Sequence, residues 1–168
     1  MRLQSIHLAI EFGDLAIIDA LLALHEDVNM RDPTTGHTLV HVAVECDNVE
    51  VLKMLLLRKA AINVYSNDSL TPLHLAVRKK STRMVQFLLD HGANVNPVFN
   101  VDDKTPLYMA VELNCPMIVA ILLERGASIK HSTIRDVTVF DVARKTNNTY
   151  LCLLLLRYAD QQLKLVGS

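Results

Sequence analysis

Short clusters of apolar residues with helical spacing recur along the chain, and polar segments of similar length separate them. In the stretch MVQFLL at residues 84–89 the apolar positions lie one, three and four residues apart, as they do on one face of a helix. Comparable clusters are AIIDALLAL, VLKMLLL, IVAILLERGASI and LCLLLLRYA, and each follows a shorter apolar segment. This pattern predicts short helices that come in pairs.

The shorter segments are versions of one motif. They read SIHLA, TLVHVA, TPLHLA, TPLYMA and TVFDVA, and their final alanines are 33 or 34 residues apart. These alanines are Ala9, Ala43, Ala76, Ala110 and Ala143. A constant period of this length is typical of a protein in which each repeat stacks on its neighbours. We therefore expect one domain over 1–168, with repeats at about 1–31, 32–65, 66–99, 100–132 and 133–160 and a C-terminal tail at 161–168.

Polar residues at fixed places predict where the helices begin. The residue before the second helix of each pair is Asp14, Asn48, Ser81, Cys115 or Asn148. Four of these five side chains carry an oxygen that can accept hydrogen bonds from free helical N–H groups. Pro116 follows Cys115 at the first helical position, where the absence of an N–H costs nothing. The polar segments between repeats, such as NMRDPTTGHT, are expected to form projecting turns.

The segments TPLHLAV and FLLDHGANVN, within residues 71–96, resemble the repeats of the ankyrin family. The resemblance extends with lower similarity over five units, and it implies an all-α solenoid of helix-turn-helix units joined by β-hairpin-like loops. The family's turn glycines are mostly replaced here. The turn between paired helices has Gly13, Asp47, Lys80, Asn114 and Asn147, and the hairpins have Gly36, Ser69, Asp103 and Asp136. Asp, Asn and Ser tolerate such turns at modest cost, whereas Lys80 is less suited to one.

The charge balance argues against a general attraction to nucleic acid or anionic lipid. The 168 residues include 17 basic and 18 acidic side chains, and 51% of the residues are hydrophobic. A basic function would have to be local, as in the segment AVRKKSTRMV at residues 76–85. Aromatic residues that could stack on bases are absent near this segment, so nucleic-acid binding by residues 78–83 is the weaker alternative.

The cysteines and the chain start indicate a protein of the cytoplasm, the nucleus or both. Cys46, Cys115 and Cys152 form no close CxxC pair, so neither a disulfide framework nor a zinc knuckle is predicted. Glu11 and Asp14 occur before an apolar run of signal-peptide length can accumulate. The apolar run YLCLLLL at residues 150–156 is too short to span a bilayer.

No catalytic, cofactor or metal site is predicted. The motifs GxSxG, HExxH and GxxxxGK[ST] do not occur. His7, His41 and His74 occupy equivalent places, but stacked repeats lie roughly 8–10 Å apart, whereas a shared zinc needs bonds of about 2 Å. The resemblance instead implies structural hydrogen bonds between Thr38 and His41 and between Thr71 and His74.

The resemblance places partner-binding residues just after the motif of each repeat and at the hairpin tips. The first set is Glu11, Phe12, Glu45, Cys46, Arg78, Lys79, Glu112, Leu113, Lys145 and Thr146. The hairpin set is Tyr65, Leu70, Phe99, Val101, Ile134 and Val137. Mixed charges with apolar anchors suit a protein partner better than a uniformly anionic backbone. Packing between neighbouring hairpins is the alternative role for each apolar hairpin residue.

The final helix is apolar on more sides than the others because Leu153 stands where earlier repeats have Asp19, Lys53, Gln86 or Ala120. Three interpretations stay open. Leu163 and Val166 of the tail fold back as a cap, the natural chain continues, or another molecule forms a second interface at Leu153.

The sequence therefore predicts a non-enzymatic, intracellular protein–protein interaction module, an adaptor or an inhibitor that binds through a concave groove and hairpin tips. A regulatory subunit or inhibitor of a protein kinase complex and an NF-kappa-B-inhibitor-like transcription-factor decoy are the open alternatives. Both are analogies at the level of the fold.

Overall fold

The computed structural model describes residues 2–24, 27–98, 103–133 and 135–166, with side chains described between residues 5 and 161. These residues form ten helices and, within the same ranges, no strand longer than an isolated bridge. The chain divides into two compact units, Met1–Ala93 and Asn94–Ser168. The all-α repeat fold is thereby confirmed, whereas the single domain over 1–168 stays a prediction.

The first unit contains three pairs of helices. They are α1 (Arg2–Phe12) and α2 (Leu15–Ala23), α3 (Leu39–Glu45) and α4 (Val49–Leu57), and α5 (Pro72–Arg78) and α6 (Thr82–Asp90). Each helix packs on the other member of its pair, and α3 packs between α1 and α5. Its core consists of fully buried aliphatic side chains, among them Ile10, Ile18, Leu39, Leu52, Leu55, Leu73, Leu75 and Leu88.

The second unit contains two pairs of helices. They are α7 (Pro106–Glu112) and α8 (Pro116–Glu124), followed by α9 (Val139–Lys145) and α10 (Thr149–Val166). Helix α7 packs on α8 and α9, and α10 packs on α8 and α9. Leu107, Ile118, Leu122, Leu151 and Leu155 are buried in its core.

The predicted caps at the start of the second helices are confirmed. Asp14, Asn48, Ser81 and Asn148 each accept a hydrogen bond from a backbone N–H in the first turn of the following helix. Cys115 makes no cap bond through its side chain, and its thiol instead donates to the Leu113 carbonyl at 3.4 Å. Pro116 occupies the first turn of α8 as expected.

The turn residues that replace glycine adopt the left-handed backbone conformation. In the helix-joining turns, φ is +72° at Gly13, +52° at Asp47, +58° at Lys80, +53° at Asn114 and +52° at Asn147. The hairpin residues Gly36, Ser69, Asp103 and Asp136 also have positive φ. The repeat geometry is therefore kept without glycine, at a local energetic cost that is largest for residues without a short polar side chain.

The expected bonds between the threonines and histidines of the motif are present. The Thr38 N–H donates to His41 Nδ1 at 3.1 Å, and the Thr71 N–H donates to His74 Nδ1 at 3.3 Å. Each pair forms a capping box at the start of its helix, which satisfies backbone donors that the helix leaves free.

Asparagines tie each hairpin to the next repeat within a unit. In the first unit, Asn29 Oδ1 accepts from the Ala61 N–H at 2.7 Å, and the side chain of Asn67 donates to the Thr34 carbonyl at 3.0 Å. In the second unit, the Asn96 side chain accepts from the Ser128 N–H at 2.8 Å. Antiparallel bridges Arg31–Thr38 and Ser132–Thr138 give two of these loops the predicted hairpin character.

The predicted tail at 161–168 stays a prediction, and the structure shows that most of it continues the last helix. Helix α10 continues without interruption to Val166. Residues 161–166 have the sequence QQLKLV, which contains no glycine or proline to end a helix. The chain therefore does not turn back at residue 161. The side chains of Leu163 and Val166 lie outside the described part of the structure.

Candidate protein-binding surface

In the first unit, the predicted binding residues lie at the C-terminal ends of α1, α3 and α5. Glu11, Phe12, Cys46, Arg78 and Lys79 are exposed, and Glu45 is half-buried. The residues just before Arg78, from Pro72 to Val77, are all buried. The packed helix thus ends at the surface with these side chains pointing away from the core.

Acidic residues of the neighbouring repeat partly neutralise the basic segment. Arg78 Nη2 lies 3.8 Å from Glu45 Oε1, and Arg83 Nη2 lies 3.8 Å from Glu50 Oε1. Glu45 also lies 3.5 Å from His37 Nδ1. Because the two arginine pairs are exposed, each adds little to stability, but together they reduce the local positive charge that a polyanion would meet.

Cys46 lies in this surface as a thiol with a raised pKa. Its partial burial raises the pKa of the thiol, and the carboxylates of Glu11 and Glu45 raise it further. A thiol with a raised pKa carries little thiolate at neutral pH and is a poor nucleophile. Cys46, Cys115 and Cys152 are all free.

Phe12 borders an apolar depression that the sequence did not reveal. Its side chain is 80% exposed beside the exposed Leu8 and Ile17, and these residues line a pocket of about 430 Å³. In the later repeats the places of Leu8 and Ile17 are buried, as Leu75 and Met84 show. The difference in burial between equivalent positions of the repeats identifies this depression, whereas the sequence of the first repeat alone does not.

The predicted hairpin residues differ in how exposed their side chains are. Tyr65 is 42% exposed, as expected of a contact residue, whereas Leu70 is 4% exposed. The prediction of Leu70 as a binding residue is wrong, because the residue just before the buried Thr71 packs into the core. Val137 is half-buried. Phe99, Val101 and Ile134 lie outside the described residues.

In the second unit, the predicted residues lie at the ends of α7 and α9. Glu112 and Lys145 are exposed, and Leu113 and Thr146 are half-buried. A pocket of about 410 Å³ lies here, lined by Tyr108, Glu112, Asn114, Val142, Lys145 and Thr146. Three of the four predicted residues therefore border one depression.

Leu153 lies on the exposed side of α10. It is 59% exposed, and Tyr150 and Leu156 on the same helix are exposed as well. No helix among the described residues is both long and apolar enough to span a membrane. The same part of the chain contains no group of three or more His, Cys, Asp or Glu side chains placed to hold a metal ion.

The repeated helix pairs define a repeat protein, and comparison with known proteins gives its family. A model of three consecutive ankyrin repeats matches residues 6–98 and 56–133. The chain therefore belongs to the ankyrin-repeat family. Ankyrin repeats are protein–protein interaction modules, and the predicted class of function is confirmed at this level.

Individual relatives match about half of the chain. The nuclear factor NF-kappa-B p105 subunit of Mus musculus is 35% identical over 105 residues, which cover 59% of this chain and 11% of that protein. The protein named probable 26S proteasome regulatory subunit p28 of Saccharomyces cerevisiae is 38% identical over 94 residues, covering 54% of this chain and 41% of that protein. An ankyrin repeat protein of fowlpox virus is 34% identical over 123 residues and is matched over 28% of its length. The chain thus spans less than half of each of these relatives.

Proposed function

We propose that this protein is a non-enzymatic, intracellular adaptor or inhibitor that binds one partner protein through the exposed helix ends and hairpins. The residues that carry recognition are Glu11, Phe12, Glu45, Arg78, Lys79, Glu112, Leu113 and Lys145, with Tyr65 contributing from a hairpin. Because packed helices already order the backbone that carries most of these side chains, binding does not have to order it, which favours affinity.

One observation carries this proposal. In α5, six consecutive residues from Pro72 to Val77 are buried, and the next two, Arg78 and Lys79, are exposed. The equivalent helix ends of α1 and α3 show the same change from buried to exposed residues. A rigid scaffold that presents side chains of different character at equivalent places is suited to recognising a specific protein surface.

The names of two relatives support a regulatory role. One is named as a regulatory subunit of the proteasome and the other as a subunit of NF-kappa-B, so similar repeats occur in parts of larger assemblies. We propose that this chain acts likewise by occupying or positioning its partner. A kinase-regulatory subunit and an NF-kappa-B-inhibitor-like decoy are the two specific forms of this proposal.

The expected partner surface opposite Arg78 and Lys79 is acidic and local. Lys79 is exposed, whereas Arg78 approaches Glu45 and Arg83 approaches Glu50. A polyanion would meet these acids together with the bases, which weakens nonspecific electrostatic binding. A protein partner can instead place one acidic group opposite the bases and apolar groups opposite Phe12 and Tyr65.

A second surface is proposed on α10. Tyr150, Leu153 and Leu156 are exposed on this helix, and contiguous apolar side chains of this size often mark interaction sites. This surface would serve complex formation separately from the helix ends.

Affinity capture from a cell extract tests the proposal. The wild-type protein is compared with an Arg78→Glu, Lys79→Glu double variant and with a Lys53→Glu, Lys59→Glu control, which makes the same change in net charge at two other exposed positions. We expect the first double variant alone to lose specific partners while its circular dichroism spectrum is unchanged. Retention of the same partners by both double variants would show that the helix ends are not the binding surface.

A further inference from the structure

A small pocket in the second unit is lined by three basic side chains. It has a volume of about 170 Å³ and lies beside α7, α9 and the loop that precedes α9. Its lining residues are Lys104, Tyr108, Thr133, Arg135, Val137 and Lys145. No acidic side chain is among them. Because the Glu112 carboxylate of the adjoining pocket pairs with Lys104, Lys145 and Arg135 supply the positive potential that favours an anionic group.

Lys104 is held in place before any ligand arrives. Its Nζ lies 3.0 and 3.2 Å from the two carboxylate oxygens of Glu112 and 5.2 Å from the centre of the Tyr108 ring. The ion pair and the cation–π contact fix the ammonium group from two sides. A cation that is already ordered loses less entropy when it binds an anion than a free surface lysine does.

Tyr108 makes this repeat different from the two before it. At the same place in the motif, His41 and His74 use a ring nitrogen to accept the backbone N–H of their cap threonine. A tyrosine ring carries no nitrogen acceptor, and the cap bond here runs from the Tyr108 N–H to Thr105 Oγ1 at 3.2 Å. The ring of Tyr108 lines both the basic pocket and the adjoining pocket of about 410 Å³.

The two pockets together form a composite recess. They share Tyr108 and Lys145, and the larger pocket adds Val142, Thr146 and Glu112 to the lining. The larger pocket offers apolar and polar contacts next to the cations. A peptide segment with one anionic side chain beside a small apolar one has a matching arrangement of groups.

We propose that the basic pocket binds a single anionic group, a carboxylate or a phosphate ester, carried by a side chain of a peptide segment of the partner. The inference rests on the proposed function, since it assumes a protein partner, and it adds a specific chemical requirement in the second unit. Lys145 and Arg135 contact the anion directly, and Lys104 contributes from its fixed position. No covalent step is involved.

Titration of the isotope-labelled full chain with short peptides, followed by NMR at low ionic strength, tests this proposal. The probes are a capped five-residue peptide with a central glutamate and a neighbouring leucine, the same peptide with glutamine, the same peptide with phosphoserine, and inorganic phosphate alone. We expect the glutamate or phosphoserine peptide to shift the amide signals of Lys104, Tyr108, Thr133 and Lys145 with about millimolar affinity, because a few exposed ion pairs contribute modestly. The glutamine peptide is expected to leave these signals unchanged.

Three variants sharpen the test. Lys145→Glu is expected to weaken binding about fivefold or more. An acidic side chain at the C-terminal end of α9 could disturb the helix, so Lys145→Gln removes the positive charge without adding a negative one. Lys130→Glu changes an exposed lysine of the same unit outside the pocket and is expected to change affinity less than about twofold. Tighter binding of the phosphoserine peptide identifies a phosphate as the source of the anion, and equal or tighter binding of the glutamate peptide identifies a carboxylate.

Several results would overturn the pocket assignment. These are equal binding of the glutamate and glutamine peptides, absence of binding by both anionic peptides even where inorganic phosphate shifts the signals, or equal effects of the Lys145 and Lys130 variants. Capture of partners through Arg78 and Lys79 concerns the other unit. Failure of the peptide titration with intact partner capture therefore rejects the pocket and leaves the proposed function standing, whereas loss of the capture result rejects the proposed function.

Discussion

The buried imidazole of His41 predicts that stability falls on mild acidification. The side chain is 0% exposed. Its Nδ1 accepts the Thr38 N–H at 3.1 Å, so the hydrogen of the neutral ring is on Nε2, which donates to the Leu70 carbonyl at 3.1 Å. Burial lowers the pKa of His41 to about 4, and nearby His37 and Arg31 act in the same direction. The folded protein therefore holds a neutral ring where the unfolded chain binds a proton.

The size and sign of the effect follow from proton linkage. The folded pKa of His41 lies below its ordinary value near 6.5, so the stabilising contribution is complete above about pH 6.5 and is lost as the pH falls towards the folded pKa. For a pKa of about 4 in the folded state, the free energy of unfolding should decrease by about 2 kcal/mol between pH 7.5 and pH 5. A loss of this size is a large part of the stability of a typical domain.

Urea unfolding monitored by far-UV circular dichroism at pH 7.5 and pH 5 measures this difference. The variant His41→Gln removes the titrating group. It should be less stable at pH 7.5 by about 1–3 kcal/mol, because the Thr38 N–H and the Leu70 carbonyl lose their partner. Its stability should change less than that of the wild type between the two pH values, and the change that remains includes the contribution of His7, whose pKa is also lowered by burial. His91→Gln alters an exposed histidine and serves as the control that keeps the wild-type pH dependence. The reasoning is refuted if His41→Gln and wild type lose the same stability between pH 7.5 and pH 5.

Three substitutions test the packing and turn geometry by the same unfolding assay. Lys80→Gly should stabilise the protein by about 0.5–1 kcal/mol, because φ is +58° at this residue and glycine adopts that conformation without steric cost. If the free energy of unfolding does not increase, the turn at Lys80 is not strained. Gly36→Ala should destabilise the protein by about 2 kcal/mol or more. A Cβ at this residue would lie 2.6 Å from the backbone nitrogen of Asn67, and φ of Gly36 is +69°. Wild-type stability of this variant would show that the contact relaxes freely. Leu52→Ala should cost about 2–5 kcal/mol because the side chain is fully buried, and a loss below about 1 kcal/mol would place Leu52 outside the core.

Features that depend on neighbouring residues along the chain were predictable from the sequence. The helical spacing of the apolar residues predicted the helix pairs, because helix formation and capping involve residues three or four positions apart. Asp14, Asn48, Ser81 and Asn148 were predictable as caps for this reason, and the structure confirms all four. The positive φ of Lys80 was also predictable, since it follows from the position of Lys80 in the repeat.

Exposure was less predictable because it depends on contacts between residues far apart in sequence. Leu70 stands in a polar loop and was predicted as a binding residue, with packing between hairpins as the alternative. It is buried, and its carbonyl accepts a hydrogen bond from His41, which lies 29 positions earlier. Leu8 has the opposite outcome, since its motif position is buried in α5 but exposed in α1. The motif specifies which face of a helix a residue occupies, whereas the neighbouring element determines whether that face is covered.

The positions where repeats differ are therefore the most informative about function. His41 and Tyr108 occupy equivalent positions of the motif, and the imidazole and phenol rings make different contacts there. The imidazole accepts a backbone N–H and donates to the next repeat, whereas the phenol ring lines two pockets and approaches the ammonium group of Lys104. At this position the tyrosine therefore borders a surface recess lined by cations. Because the surrounding backbone is set by the shared repeat, such a change can create a binding site without a change of fold.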